Sequence, residues 1–128
     1  MQTDKSKNLI VELSFGFALE IIKYVELLEK NRRYVIANQL LKSGTAIGAN
    51  VREAQNAESK TDFIHKLKIA AKEADETEYW LLLCSRSGYE NCSGLLEQCN
   101  SISKVLSKII SSSKQTLSAH HQITKSSN

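Results

Sequence analysis

Five small residues, Ser43, Gly44, Ala46, Gly48 and Ala49, fall within seven positions of an unbroken helical pattern, and no other stretch limits the fold as much. A glycine costs a helix about 1 kcal/mol relative to alanine. Two of them in mid-helix need a compensating contact, and the simplest is the close approach of another backbone. Asn50, Arg52 and Glu53 follow at once, polar groups set where the packing is expected to be tightest. Residues 43–62 thus read as part of one helix, a tight corner and the start of the next: the seam of an all-helical scaffold.

The rest of the chain carries the same period. Ile10, Ser14, Phe17, Ile21, Tyr24 and Leu28 recur at alternating steps of four and three, the spacing of a helix seam, over an expected first helix of residues 8–30. A second apolar row, Val11, Phe15, Ala18, Ile22 and Val25, runs beside it. Two adjacent rows exceed what one narrow stripe requires. The helix either lies between two neighbours in a bundle or gives part of its face to a subunit contact. The second helix, about 33–57, places Ala37, Leu40, Gly44, Ile47, Val51 and Ala54 on a core row. A small and polar row (Ile36, Gln39, Ser43, Ala46, Asn50, Glu53, Ala57) runs alongside. There Asn50 and Glu53 are expected to bond across the gap, with Arg32, Arg52 or a helix N-terminus as partner for the carboxylate.

Ser59 with Asp62 resembles a capping box and opens a third helix running to about residue 85. Its core row is Phe63, Leu67, Ala70, Ala74, Thr77, Leu81 and Cys84, and a second stripe joins Ile69, Glu73, Glu76, Trp80 and Leu83. Gly88 suits a helix stop and Asn91 a cap. A fourth helix over about 92–116 then carries Leu95, Cys99, Ile102, Leu106 and Ile109. Short corners force antiparallel neighbours, so the fold class is all-α, an up-down-up-down four-helix bundle. It spans residues 8–116, with a flexible N-terminus at 1–7 and a flexible polar tail at 117–128.

With 128 residues and no proline, the chain fits one domain whose core holds without staples. Three cysteines (Cys84, Cys92, Cys99) cannot all pair and show no metal-ligand spacing, which fits reduced thiols in a cytoplasmic protein. The start lacks a long apolar run, and no 18-residue apolar stretch follows, so neither secretion nor membrane insertion is expected. The net charge of +3 is small, but residues 30–72 hold nine Lys/Arg against three acids, while 73–97 hold six acids against one Arg. Such polarity steers a polyanion, or matches the acidic part of one subunit to the basic part of the next.

Catalytic patterns are missing. A di-metal bundle needs Glu-x-x-His on two helices. The chain has one carboxylate-x-x-His, Asp62 to His65, where a capping acid is expected anyway. His120 and His121 lie side by side in the tail, outside any built site. Arg52 and His65 are 13 residues apart across a corner, which does not suit a helical RNase motif. No glycine-rich phosphate loop follows a strand. The residues thus point to a binding protein without cofactor or metal.

From Ser43 to Tyr89 the sequence SGTAIGANVREAQNAESKTDFIHKLKIAAKEADETEYWLLLCSRSGY resembles the bacterial four-helix bundle family called S23-like or 23S rRNA intervening-sequence proteins. The likeness lies in a small-residue run leading into Asn50 and Glu53, and a Ser/Lys corner before Phe63. A Leu-rich turn with Ala-Ala, then acids, and an aromatic-Leu end before Gly-Tyr complete it. The resemblance covers about residues 8–115 and implies a bundle that assembles into a ring-like homopentamer of no settled biochemical function, not a part of the working ribosome. A related branch, the accessory protein of diversity-generating retroelements, is a basic pentamer engaging a reverse transcriptase and nucleic acid. This chain departs from it in being only mildly basic.

Three groups of residues follow from these readings. Arg32, Arg33, Lys42, Arg52, Lys60, Lys66, Lys68 and Lys72 are the candidates for RNA or DNA contact, multiplied by assembly. Asn50 and Glu53 are structural polar residues. Val11, Phe15, Ile22, Trp80 and Leu83 are the candidate subunit interface. The expected function is a non-enzymatic homo-oligomeric scaffold binding nucleic acid or a nucleic-acid-handling protein. The alternative is a protein-only adaptor that assembles with a separately encoded partner.

Overall fold

The structure, a computed structural model, describes residues 2–126, with side chains described at residue 5 and from 8 to 119. It has four helices: α1 (Gln2–Lys30), α2 (Tyr34–Gln55), α3 (Lys60–Arg86) and α4 (Ser93–Ser126). Among the described residues there is no strand. Helices adjacent in the chain pack side by side, α4 closes against α1, and among the described residues no diagonal pair comes into backbone contact. The result is a square, antiparallel up-down-up-down bundle. Both outer helices run beyond the 8–116 span that the apolar rows mark. The expectation of flexible ends falls largely on residues whose side chains lie outside the described set.

Each corner has a local cause. At the first, the Arg33 N–H donates to the Leu28 carbonyl and the Arg32 N–H to that of Glu29, both at 2.9 Å, with Arg32 at φ 62°. This is the six-to-one and five-to-two pattern that ends a helix, here set by a residue other than glycine. At the second, Ser59 Oγ accepts the Asp62 N–H at 3.0 Å, capping α3 as its sequence indicates. At the third, Gly88 has φ 82° and the Tyr89 N–H reaches the Cys84 carbonyl at 3.0 Å. Asn91, expected as a cap, instead turns the chain with φ 66°.

Every residue of the four core rows is buried. The seams differ in kind. Against α1, α2 presents Gly44 and Gly48: a Cβ at Gly44 would stand 2.9 Å from both Cγ1 and Cγ2 of Ile21, and one at Gly48 would stand 3.3 Å from the Ser14 carbonyl oxygen. The glycines are therefore spent on close approach, as their helix cost demands. Against α3, α2 presents Ser43. Its Oγ lies 3.0 Å from Thr77 Oγ1, which is itself 2.7 Å from the Glu73 carbonyl. Thr77 is the donor in both contacts, its hydroxyl proton shared between the Glu73 carbonyl and Ser43 Oγ. Two fully buried polar groups are thereby satisfied across the seam.

The end of the bundle holding the first and third corners is tied by polar aromatics. The Arg33 guanidinium stacks on Tyr89 at 3.8 Å from the ring centre, and Tyr24 Oη lies 2.8 Å from Cys92 Sγ. Burial pushes the Cys84 thiol up to about 11 and the Cys99 thiol up to about 12, and raises the Tyr24 hydroxyl, which Cys92 raises further. All three groups hold their protons more tightly folded than unfolded, so their contribution is complete below pH 9, the ordinary thiol value, and declines as pH rises toward the folded values. Urea unfolding is therefore expected to give a stability about 2 kcal/mol or more lower near pH 11 than near pH 8. A stability that held or rose across that interval would show that these groups are not kept neutral by the core.

Candidate docking faces and charged surface

Helix geometry turns the second row of α1 outward once the first row is buried. Val11, Phe15 and Ile22 are exposed, Phe15 at 61%, while Ala18 is half-buried and Val25 joins the core. Val11, Phe15 and Ala18 form one bank of a groove of about 400 Å³; Thr45, Gly48, Ala49 and Arg52 of α2 form the other. The groove has a low floor because Gly48 lies against the Ser14 backbone. Leu19, also exposed, extends the apolar bank, and Arg52 closes one rim with charge.

A second apolar face lies on α3. Tyr79, Leu82 and Leu83 are exposed, Tyr79 at 56% and Leu83 at 38%. Trp80 is half-buried, packs against the core and meets the Tyr79 ring edge-on at 5.1 Å. The Ser43–Thr77 and Glu53–Lys66 pairs set an antiparallel register that puts Val35 of α2, 82% exposed, at the level of residues 84–85 near the end of α3. The two halves of the expected interface, Val11/Phe15/Ile22 and Trp80/Leu83, therefore lie on separate faces. Thr45 and Ala49 line the groove and Tyr79 and Val35 are exposed, none of them among the expected interface residues. For Thr45 and Ala49 the available signal was a small-residue pair four apart beside Gly48.

Of the polar pair expected to bond across the gap, Glu53 does so and Asn50 does not. Asn50 is half-buried and its Nδ2 donates to the Ala46 carbonyl at 2.9 Å, within its own helix. Glu53 is exposed and reaches α3 through Lys66 Nζ at 3.7 Å, a partner other than Arg32, Arg52 or a helix end. Ser43, on the same row, makes the buried bridge instead.

The eight basic residues are spread around the bundle. Arg32 and Arg33 sit at the first corner, with Arg33 on Tyr89. Lys42 lies near Glu73, whose carboxyl is raised by burial and by Glu76 while Lys42 opposes the rise. Arg52 lines the α1/α2 groove, and half-buried Lys60 lines a shallow hollow at the second corner with Glu58 and Ser59. Lys66 is committed to Glu53. Lys68 and Lys72 are exposed on α3, and Lys68 lies close enough to Lys114 of α4 to lower the Lys114 ammonium through a hydrogen bond and like charge. The seam between α1 and α4 is of opposite sign: its groove of about 610 Å³ is lined by Glu12, Glu20 and Glu97. Among the described residues no three His, Cys, Asp or Glu side chains gather as metal ligands, and no helix is long and apolar enough to cross a membrane.

A square bundle with closed corners and two bare lateral faces defines the class, an all-α four-helix bundle. The chain belongs to the 23S rRNA-intervening sequence protein family, whose model matches residues 6–108. It is similar to a protein of unknown function from the S23 ribosomal protein family of Bacteroides thetaiotaomicron VPI-5482, known from a crystal structure at 1.70 Å. The two share 41% identity with a TM-score of 0.80, over 83% of this chain and 98% of that one. Among curated proteins, none matches.

Proposed function

We propose that this chain is a non-enzymatic, cytoplasmic scaffold that joins copies of itself side to side, in the pentameric ring that its family resemblance implies. What supports this reading is the presence of two unlike exposed apolar faces, the α1/α2 groove with Phe15 and the α3 face with Tyr79 and Leu83. A ring closes through head-to-tail contact, which needs two different patches on each subunit. Large exposed apolar patches on a small domain ordinarily mark interaction sites. Glu12 and Arg52 give the groove charge of both signs, which a charged partner face can meet.

A second element, contact with RNA or DNA, draws support from the family description and from the Lys68–Lys114 pair with Lys72 nearby in sequence. Lys66 faces Glu53, Lys42 and Lys72 both lie near Glu73 and Arg33 stacks on Tyr89, so phosphate contact falls chiefly to Lys60, Lys68 and Lys114. The protein-only adaptor is the alternative, favoured by those same internal pairs.

Sedimentation at micromolar concentration is expected to give about five times the 14.3 kDa of one chain. Phe15→Asp with Ile22→Asp is expected to yield a folded monomer of unchanged helicity. A wild-type mass of one chain would remove the scaffold reading. For nucleic acid, RNA affinity is expected to fall at least tenfold between about 50 and about 200 mM salt, as counterion release requires. Lys68→Glu with Lys114→Glu should weaken it more than Lys42→Glu does. Affinity indifferent to salt would leave the adaptor.

A further inference from the structure

The proposed self-contact uses the α1/α2 groove and the α3 face, and leaves the seam between α1 and α4 uncovered. That seam carries the larger groove, of about 610 Å³. Its base is apolar, with Phe17 and Ile102 buried and Leu13 half-buried. Its banks carry exposed carboxylates, Glu12 and Glu20 from α1 and Glu97 from α4, and among the described residues no Lys or Arg lines it. Glu12 stands on the ridge shared with the α1/α2 groove, whereas Glu20 and Glu97 line this one alone. Glu20 has Lys23 at 3.5 Å, an exposed pair one turn apart on its own helix.

Gly16 lies in mid-α1, one turn from Glu12 and one from Glu20, where glycine costs a helix about 1 kcal/mol relative to alanine. At Gly44 and Gly48, close packing within the chain offsets that cost. A Cβ at Gly16 would meet nothing within 4 Å, and Gly94 on the opposite bank is equally open. The absent side chains keep the groove clear where nothing in the chain itself enters, the arrangement that lets a foreign backbone come close.

We propose that the α1/α4 groove docks a basic amphipathic helix of a separate protein. Its apolar stripe lies over Gly16 on Leu13, Phe17 and Ile102, and lysines or arginines on both flanks meet Glu12, Glu20 and Glu97. A furrow between two antiparallel rods takes a third rod, read through residues spaced i, i+3 or i+4, and i+7. Charge selects the occupant, because an acidic helix would bring like charges to both banks. The bare face of α3 is no match, since exposed Asp75 and Glu76 precede Tyr79 there. Phosphate is turned away from this seam for the same reason, so the groove is separate from any nucleic-acid contact at Lys68 and Lys114.

The test uses the full-length chain and a labelled peptide of about 18 residues, long enough to turn helical, made of alanine, leucine and lysine with leucine at every third or fourth position. Fluorescence anisotropy is expected to show saturable binding, about fivefold or more tighter than for a shuffled peptide of the same composition. Glu20→Gln with Glu97→Gln should weaken binding about fivefold or more, while Glu26→Gln with Glu29→Gln, an equal loss of charge outside the groove, should change it by less than about twofold. Gly16→Leu fills the groove, favours the helix and leaves the charge alone, and it should weaken binding as much as the first pair. The proposal is overturned by no binding at about 100 μM peptide, by equal losses from the two pairs, or by indifference to Gly16→Leu. A smaller assembly mass for Gly16→Leu without peptide would give the groove to a second copy and overturn it too.

Discussion

The missing side chain at Gly44 lets α1 and α2 lie close, and much else is fixed by that closeness. Ile21 occupies the space that a Cβ there would take, and four residues on, Gly48 rests against the Ser14 backbone. Neither glycine helps its own helix. Both raise the packing of a neighbour, and because dispersion falls off steeply with distance, a few tenths of an ångström along this seam matter to every side chain lining it. With α1 held there, Ile10, Phe17, Ile21 and Leu28 must point into the core. The 3.6-residue period then leaves Val11, Phe15 and Ile22 no place but outside.

The outward face is therefore a consequence of the core rather than a separate feature. A helix whose inner row is full cannot also bury the row beside it unless another surface arrives, and the proposed self-assembly would supply one. The α2/α3 seam is built otherwise, from the Ser43–Thr77 hydroxyl pair and the exposed Glu53–Lys66 bridge. Buried hydroxyls fix register, since a slip would leave them unpaired. The exposed ion pair adds little to stability, and its effect is on the surface, where it neutralises a lysine otherwise free to meet phosphate.

Much of the fold was legible in the sequence because helix rows are read at fixed spacing. Each core row from Ile10 to Ile109 is buried, and the cap at Ser59 and the stop at Gly88 lie where local chemistry puts them. What period alone could not supply was the partner of each polar group. Asn50, Glu53 and Ser43 share one row, yet only Ser43 is buried against α3, because the direction of the row depends on where α3 sits. Helix length was also hidden: α4 runs on to Ser126 through polar sequence that carries no apolar period. The eight basic residues share a stretch of chain but spread over two ends and several faces of a bundle, since residues 32–72 cross two corners.

The close seam itself is tested most directly by a double-mutant cycle between its two sides, read by urea unfolding of Gly44→Ala, Ile21→Ala and the pair. If the methyl added by Gly44→Ala meets Ile21, its cost of about 1–3 kcal/mol should largely vanish once Ile21 is trimmed, giving a coupling of at least about 1 kcal/mol. Strictly additive effects, or a stabilising Gly44→Ala in the wild-type background, would contradict a fold organised around that contact.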